Sequence, residues 1–202
     1  MATFSIDRMK NFLLEFRKKN NSIDDMQDRA YDVLDEFGMR NAGKGGVRII
    51  EILNGFGIKT YMDDLQPKEL SAYIAIDPRL IEKLGSNRIA CVNSKDSDGH
   101  KRFAIAHELA HYLFDYDDYK KVVYYDTYIA GEDEPTDEKE LRANRFAACL
   151  LMPEESFRKK YEELKKKLSK PDLVNELNLY FRVSPRAVQR RFDELGITGY
   201  AG

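Results

Sequence analysis

Three scarcities bound what this 202-residue chain can be. It has only two cysteines, Cys91 and Cys149, each isolated inside an apolar stretch. Two such thiols read as buried side chains in a reducing compartment and exclude a disulfide framework. Long apolar runs are also missing. The longest is 146–152, far short of the roughly 20 residues that cross a bilayer. The opening MATFSIDRMKNF has no extended apolar region either, so no secretory signal is expected. Together these favour a cytoplasmic protein with no membrane partner. Histidine is the third scarcity, with three in all: His100, His107 and His111.

What is present is an ordinary globular composition, 43% hydrophobic and 34% charged, with a formal net charge of −2. That balance hides two opposed regions. Residues 115–140 hold ten acidic and three basic side chains, whereas 155–191 hold eleven basic and five acidic. The glycine-rich NAGKGG at 41–46 is not a phosphate loop, because Lys44 is followed by Gly45 rather than Gly-Lys-Ser/Thr. It reads as a flexible linker.

Two of the three histidines fall in one helical stretch, FAIAHELAHYLF at 103–114. Its core, His107-Glu108-Leu109-Ala110-His111, is the HExxH pattern of zinc peptidases. Residues four apart lie about 40° from each other around a helix, so both imidazoles leave one face and can chelate one Zn²⁺. Glu108, beside His107, can reach a water on that metal. The alternative is a surface helix carrying two incidental histidines.

A second strong helix is predicted over 137–152, DEKELRANRFAACLLM, with acidic residues in its first turn and Pro153 ending it. Glu140, Asn144, Ala147 and Leu151 share one stripe. Glu140 can complete a His₂Glu set that leaves a fourth position open. Asn144, one turn on, can hydrogen-bond a ligating histidine. Glu132, Asp133, Glu134, Asp137 and Glu138 compete with Glu140 as acids but read more simply as solvated charges. Cys149 falls on the opposite side of this helix from Glu140.

The remaining chain reads as support. Apolar residues recur at helical spacing at Met9, Phe12, Leu13 and Phe16, and again at Met26, Ala30, Val33, Leu34 and Phe37, with Gly38 closing the second helix. A short helix is expected over 47–56. Strands follow over 58–62, 72–76 and 88–93, forming a small, mostly antiparallel sheet, with a further short strand within 121–129. The tyrosine-rich acidic segment 115–135 reads as a loop that can hang over the cleft. One of its rings, from Tyr116, Tyr119, Tyr124, Tyr125 or Tyr128, can serve an oxyanion. Three helices are expected near 154–168, 171–181 and 185–195. The last two have a helix-turn-helix outline with Arg186, Gln189, Arg190 and Arg191 on or near the second, so direct DNA binding through 171–196 is one reading and a basic helical bundle the other.

RFAIAHELAHYLF and ELRANRFAACLLMP together resemble the ImmA/IrrE-type zinc metallopeptidases, which pair an "RFTIAHELGHYL" helix with "ExEANxFAAxLLMP". Ala110 stands where Gly is usual, and Arg142 where many members carry a second Glu. The resemblance implies an α+β fold of minimal zincin type. A peptidase core over 46–153 would be flanked by an N-terminal helical extension, 1–45, and a C-terminal helical part, 154–202. It implies one catalytic Zn²⁺ held by His107, His111 and Glu140, with Glu108 as general base and Asn144 behind the ligands. It also implies an endopeptidase acting on a protein partner, a helix-turn-helix repressor or antitoxin. The alternatives are a zinc-containing regulatory or toxin-like binding module without constitutive proteolysis, and a DNA-binding regulator.

Overall fold

Side-chain caps start most of the helices of this chain. In the computed structural model, which describes residues 5–116, 124–129 and 137–198, Ser5 accepts from the Arg8 amide and opens α1, Ile6–Lys18. A capping box between Ser22 and Asp25 opens a short 3₁₀ turn that leads into α2, Met26–Glu36. Gly38, at φ +64°, follows α2 as expected, since only glycine takes this left-handed turn without cost. The predicted helix over 47–56 is α3, Ile49–Gly55.

Among the described residues the sheet has four strands: β1 Lys59–Asp63, β2 Leu70–Ile76, β3 Arg88–Asn93 and β4 Tyr124–Ile129, in the order β1-β3-β2-β4. β3 pairs antiparallel with β2 and β2 antiparallel with β4, which makes the sheet mostly antiparallel as expected. The β1–β3 pairing is parallel. A short helix between β2 and β3, α4 (Leu80–Leu84), turns the chain back, and β3 then inserts between its two predecessors. The central strands β2 and β3 are mostly buried along their length, whereas β1 is an exposed edge.

Under this sheet lies α5, Asp98–Phe114, capped by Ser97 and buried without a break from Ala104 to Leu113. α6, Glu138–Leu151, starts at Asp137, whose carboxylate accepts from the Lys139 amide. Ala104, Ala106 and Ala110 on α5, and Ala143 and Ala147 on α6, are almost wholly buried. Such small side chains let two helix backbones approach closely, and that approach brings one face of α5 to one face of α6. α7 (Glu154–Leu164), α8 (Lys170–Phe181) and α9 (Pro185–Glu194) complete the chain.

One hydrophobic cluster runs through all of these parts, from Met9 and Phe16 through Leu109 and Phe146 to Phe181 and Phe192. The 41–46 loop differs from its expectation as a flexible linker. The Gly45 amide donates to the Tyr180 carbonyl at 3.0 Å. A Cβ on Gly46 would lie 2.6 Å from the Phe181 carbonyl oxygen, so the glycine permits a close backbone approach rather than freedom. Arg102 of α5 donates to the carbonyls of Val47 and Arg182, tying the same region to the α8–α9 turn. Arg17 of α1 donates to the carbonyls of Tyr112 and Leu113 at the end of α5. No helix among the described residues is long and apolar enough to cross a membrane.

Candidate metal centre

A buried helix carrying three polar side chains within two turns needs a reason, because burying unpaired polar groups costs several kcal/mol each. α5 buries His107 and Glu108 completely and His111 to 2% exposure. The two histidine rings stand edge to face, 4.7 Å between centroids. Their Nε2 atoms are 2.9 Å apart. Glu140 arrives from α6 and spans the pair, with Oε2 3.1 Å from His107 Nε2 and Oε1 3.2 Å from His111 Nε2. Among the described residues, these three are the group whose donor atoms converge closely enough to hold a metal ion.

The opposite side of each imidazole is also occupied. His107 Nδ1 lies 3.0 Å from Asn144 Oδ1, and His111 Nδ1 lies 3.0 Å from Asp115 Oδ2. An Nδ1–H donating to each acceptor fixes the tautomer and turns the Nε2 lone pairs toward Glu140. Asp115 is held in turn by Arg142, whose Nη2 donates to Oδ1 at 2.6 Å, with Lys139 Nζ 3.9 Å away.

The electrostatics match this arrangement. Contact with His107, then with His111, holds the Glu140 carboxyl well below the usual carboxylate range, against the opposing effect of its partial burial. Burial pushes the His107 imidazole below its ordinary value, against the pull of Glu140. Burial alone would raise Asp115, but the hydrogen bond from His111 and the charge of Arg142 outweigh it and leave the carboxyl lowered. The His107 ring therefore favours the neutral form that metals require, and both carboxyls favour the ionised form.

The donor set fits Zn²⁺. Around a tetrahedral zinc with bonds of about 2.0–2.1 Å, neighbouring donors lie about 3.3 Å apart. The observed separations of 2.9, 3.1 and 3.2 Å are close to that. Two imidazole nitrogens and a carboxylate are borderline donors suited to zinc. A cation between them turns mutually repelling lone pairs into ligands.

Of the residues singled out from the sequence, His107, His111, Glu140 and Asn144 come together, and Glu108 is buried beside His107. Asp137 caps α6 and Glu138 is exposed, so neither joins them. Glu132, Asp133, Glu134 and Tyr119 lie outside the described residues, as do the side chains of Tyr124, Tyr125 and Tyr128. Tyr116 stacks on Tyr112, 5.7 Å between centroids. Cys149 is buried, with Arg191 Nη1 3.3 Å from its sulfur. Asp115 and Arg142 were not anticipated from the sequence. Asp115 looks like the first charge of an acidic loop, and Arg142 stood out only as a missing glutamate. The signal was the spacing: Asp115 follows His111 by one helical turn, the distance at which side chains meet.

The family model for the IrrE N-terminal-like domain, a peptidase family, matches residues 53–193. Seven chains of solved structures match the fold. One, titled a Mycobacterium tuberculosis transcriptional regulator, aligns with a TM-score of 0.55 at 21% identity, covering 96% of this chain and 54% of its own. This chain therefore spans about half the length of that protein, and the likeness is one of fold. No curated protein matches the sequence.

Proposed function

We propose, from the premise that this chain belongs to the IrrE N-terminal-like peptidase family, that it is a zinc-dependent endopeptidase with its chemistry at His107, Glu108, His111 and Glu140. The observation that carries the reading is the convergence of two buried Nε2 atoms and one carboxylate within 3.2 Å of one another, each imidazole backed by an acceptor. A Zn²⁺ held there would supply Lewis acidity, bringing a water's pKa toward neutrality and polarising a peptide carbonyl.

The chain's own residues do the rest. His107 and His111 present Nε2 lone pairs because Asn144 and Asp115 accept hydrogen bonds from their Nδ1–H groups. Glu140 contributes the negative charge. Glu108 is not part of the converging set, and it sits next to His107 in a fully buried turn. It takes the proton of the attacking water and hands it to the leaving amine. The residues 46–153 that we assign to the peptidase core contain every one of these groups.

The substrate we propose is a regulatory protein of helix-turn-helix type, a repressor or antitoxin. The acidic balance of 115–140, close in sequence to the site, suits a basic DNA-binding partner. A DNA-binding role for this chain itself is less well supported, because Arg191 of the helix-turn-helix outline is fully buried.

The test is Glu108→Gln. Metal analysis should find one zinc per chain in both proteins, while cleavage of a helix-turn-helix repressor substrate falls about a thousandfold, the scale of a lost general base. A variant that binds zinc and still cuts at the wild-type rate sinks the mechanism.

A further inference from the structure

We infer that Asp115 and Arg142 form a charged strut that orients His111 and sets how tightly the site holds its metal. The inference rests on His107, His111 and Glu140 being the ligands, and it gives a positioning role to two residues outside that set.

The position of Asp115 is unfavourable on two counts. It is the C-cap of α5, where the negative end of the helix dipole disfavours a carboxylate. Its side chain is also only 9% exposed, and a buried charge is costly unless paired. Two hydrogen-bonded contacts offset most of these costs, with Lys139 Nζ more distant at 3.9 Å, and both serve the metal centre. Oδ2 meets His111 Nδ1 at 3.0 Å, and Oδ1 receives Arg142 Nη2 at 2.6 Å. Arg142 is itself largely buried, 16% exposed, with its guanidinium 5.3 Å from the centre of the Phe114 ring.

The strut closes a ring across the helix pair. Glu140 on α6 meets His111 on α5, His111 meets Asp115, Asp115 meets Arg142, and Arg142 stands two residues beyond Glu140 on α6. The helix that supplies the carboxylate ligand thus also holds the carboxylate behind a histidine ligand. A shift of α6 relative to α5 moves both at once. The two imidazoles are also backed unequally. His107 has a neutral amide behind it, and His111 a carboxylate. A carboxylate on Nδ1–H raises the basicity of Nε2, so His111 becomes the stronger donor. Arg142 keeps Asp115 aimed and its charge balanced.

The first measurement needs no metal. With three histidines in the chain, ¹⁵N spectra of the imidazoles are simple to assign. At about pH 8, above the ordinary imidazole range, wild type should show His111 as the Nδ1–H tautomer, and Asp115→Ala should shift it toward Nε2–H. The second is a Co²⁺ titration read by its visible absorption. Asp115→Ala should weaken binding about 10–100-fold, the usual cost of losing such a partner. Asp115→Asn keeps an acceptor and loses the ion pair, and should weaken it less. Arg142→Gln should weaken binding in wild type and have no further effect on Asp115→Ala, because the two act as one unit. Asp115→Asn and Arg142→Gln carry the comparison if Asp115→Ala does not fold. A wild-type tautomer and unchanged Co²⁺ affinity in the Asp115 variants overturn the strut, as do additive effects of the two substitutions. A wild type that takes up no Co²⁺ overturns the ligand assignment and the affinity role together, while the tautomer measurement still decides whether Asp115 orients His111.

Discussion

Two of the helix pairs among the described residues bury charged or titratable side chains to different ends. In α5–α6, His107, His111 and Glu140 turn their donor atoms toward a single point. In α8–α9, Arg191 is just as deeply buried, but its nitrogens point outward to separate structural partners: the Met152 carbonyl, Glu194, Cys149 and Gln27. The first arrangement concentrates lone pairs and calls for a cation. The second spreads one cation over acceptors from α2, α6 and α9, and so pins the C-terminal helices to the body of the fold. Burial of charge is therefore no sign of chemistry by itself. Convergence of like donors is the better sign.

The comparison can be broken most sharply at Glu140. Glu140→Ala should lower zinc affinity on the order of a thousandfold, since zinc sites are worth about 10–16 kcal/mol spread over their ligands. Competition with a chelator measures it, and wild-type retention would mean the convergence has no metal to serve. Next in size is Arg191→Ala, which should cost about 3 kcal/mol by leaving several buried partners unmet. Arg186→Ala, on the exposed face of the same helix, should stay within about 0.5 kcal/mol. Urea midpoints compare them, and equal losses would show that Arg191 is not the pin described above. The last effect is acid sensitivity. Burial lowers the His107 imidazole, so the native state favours the neutral ring and a proton favours the unfolded one. Metal-free protein should keep this stability above about pH 6.5 and lose it at up to about 1.4 kcal/mol per pH unit as the pH falls through the folded value. Urea midpoints against pH would show it, and a flat profile for metal-free protein would contradict it.

The metal helices were legible in the sequence because their information is local. Spacing within one helix puts His107 and His111 on one face, and spacing within another puts Glu140 and Asn144 on one stripe. The cap residues Ser97 and Asp137, and Gly38 after α2, follow the same local rules. What the sequence obscured depends on partners far along the chain. The parallel β1–β3 pairing follows from β3 inserting between two earlier strands, which no strand pattern encodes. β4, expected only loosely within 121–129, owes its place to β2. Gly46 looked like freedom in a linker because the Phe181 backbone that crowds it lies 135 residues away. α4, five residues long, was too short for any periodicity to mark it. Asp115 belongs to the site only once Arg142 has been brought to it by another helix.

Arg17 has a consequence for how the centre moves. Helix ends fray because their last carbonyls lack partners, and the final turn opens and recloses far more often than the middle. His111 sits in the last turn of α5, where such breathing would repeatedly pull one donor away from the other two. By holding the Tyr112 and Leu113 carbonyls, Arg17 couples that turn to α1, so that opening it breaks contacts with the first helix. The residence time of an ion held there would thereby be linked to the docking of a helix that contributes no ligand to it.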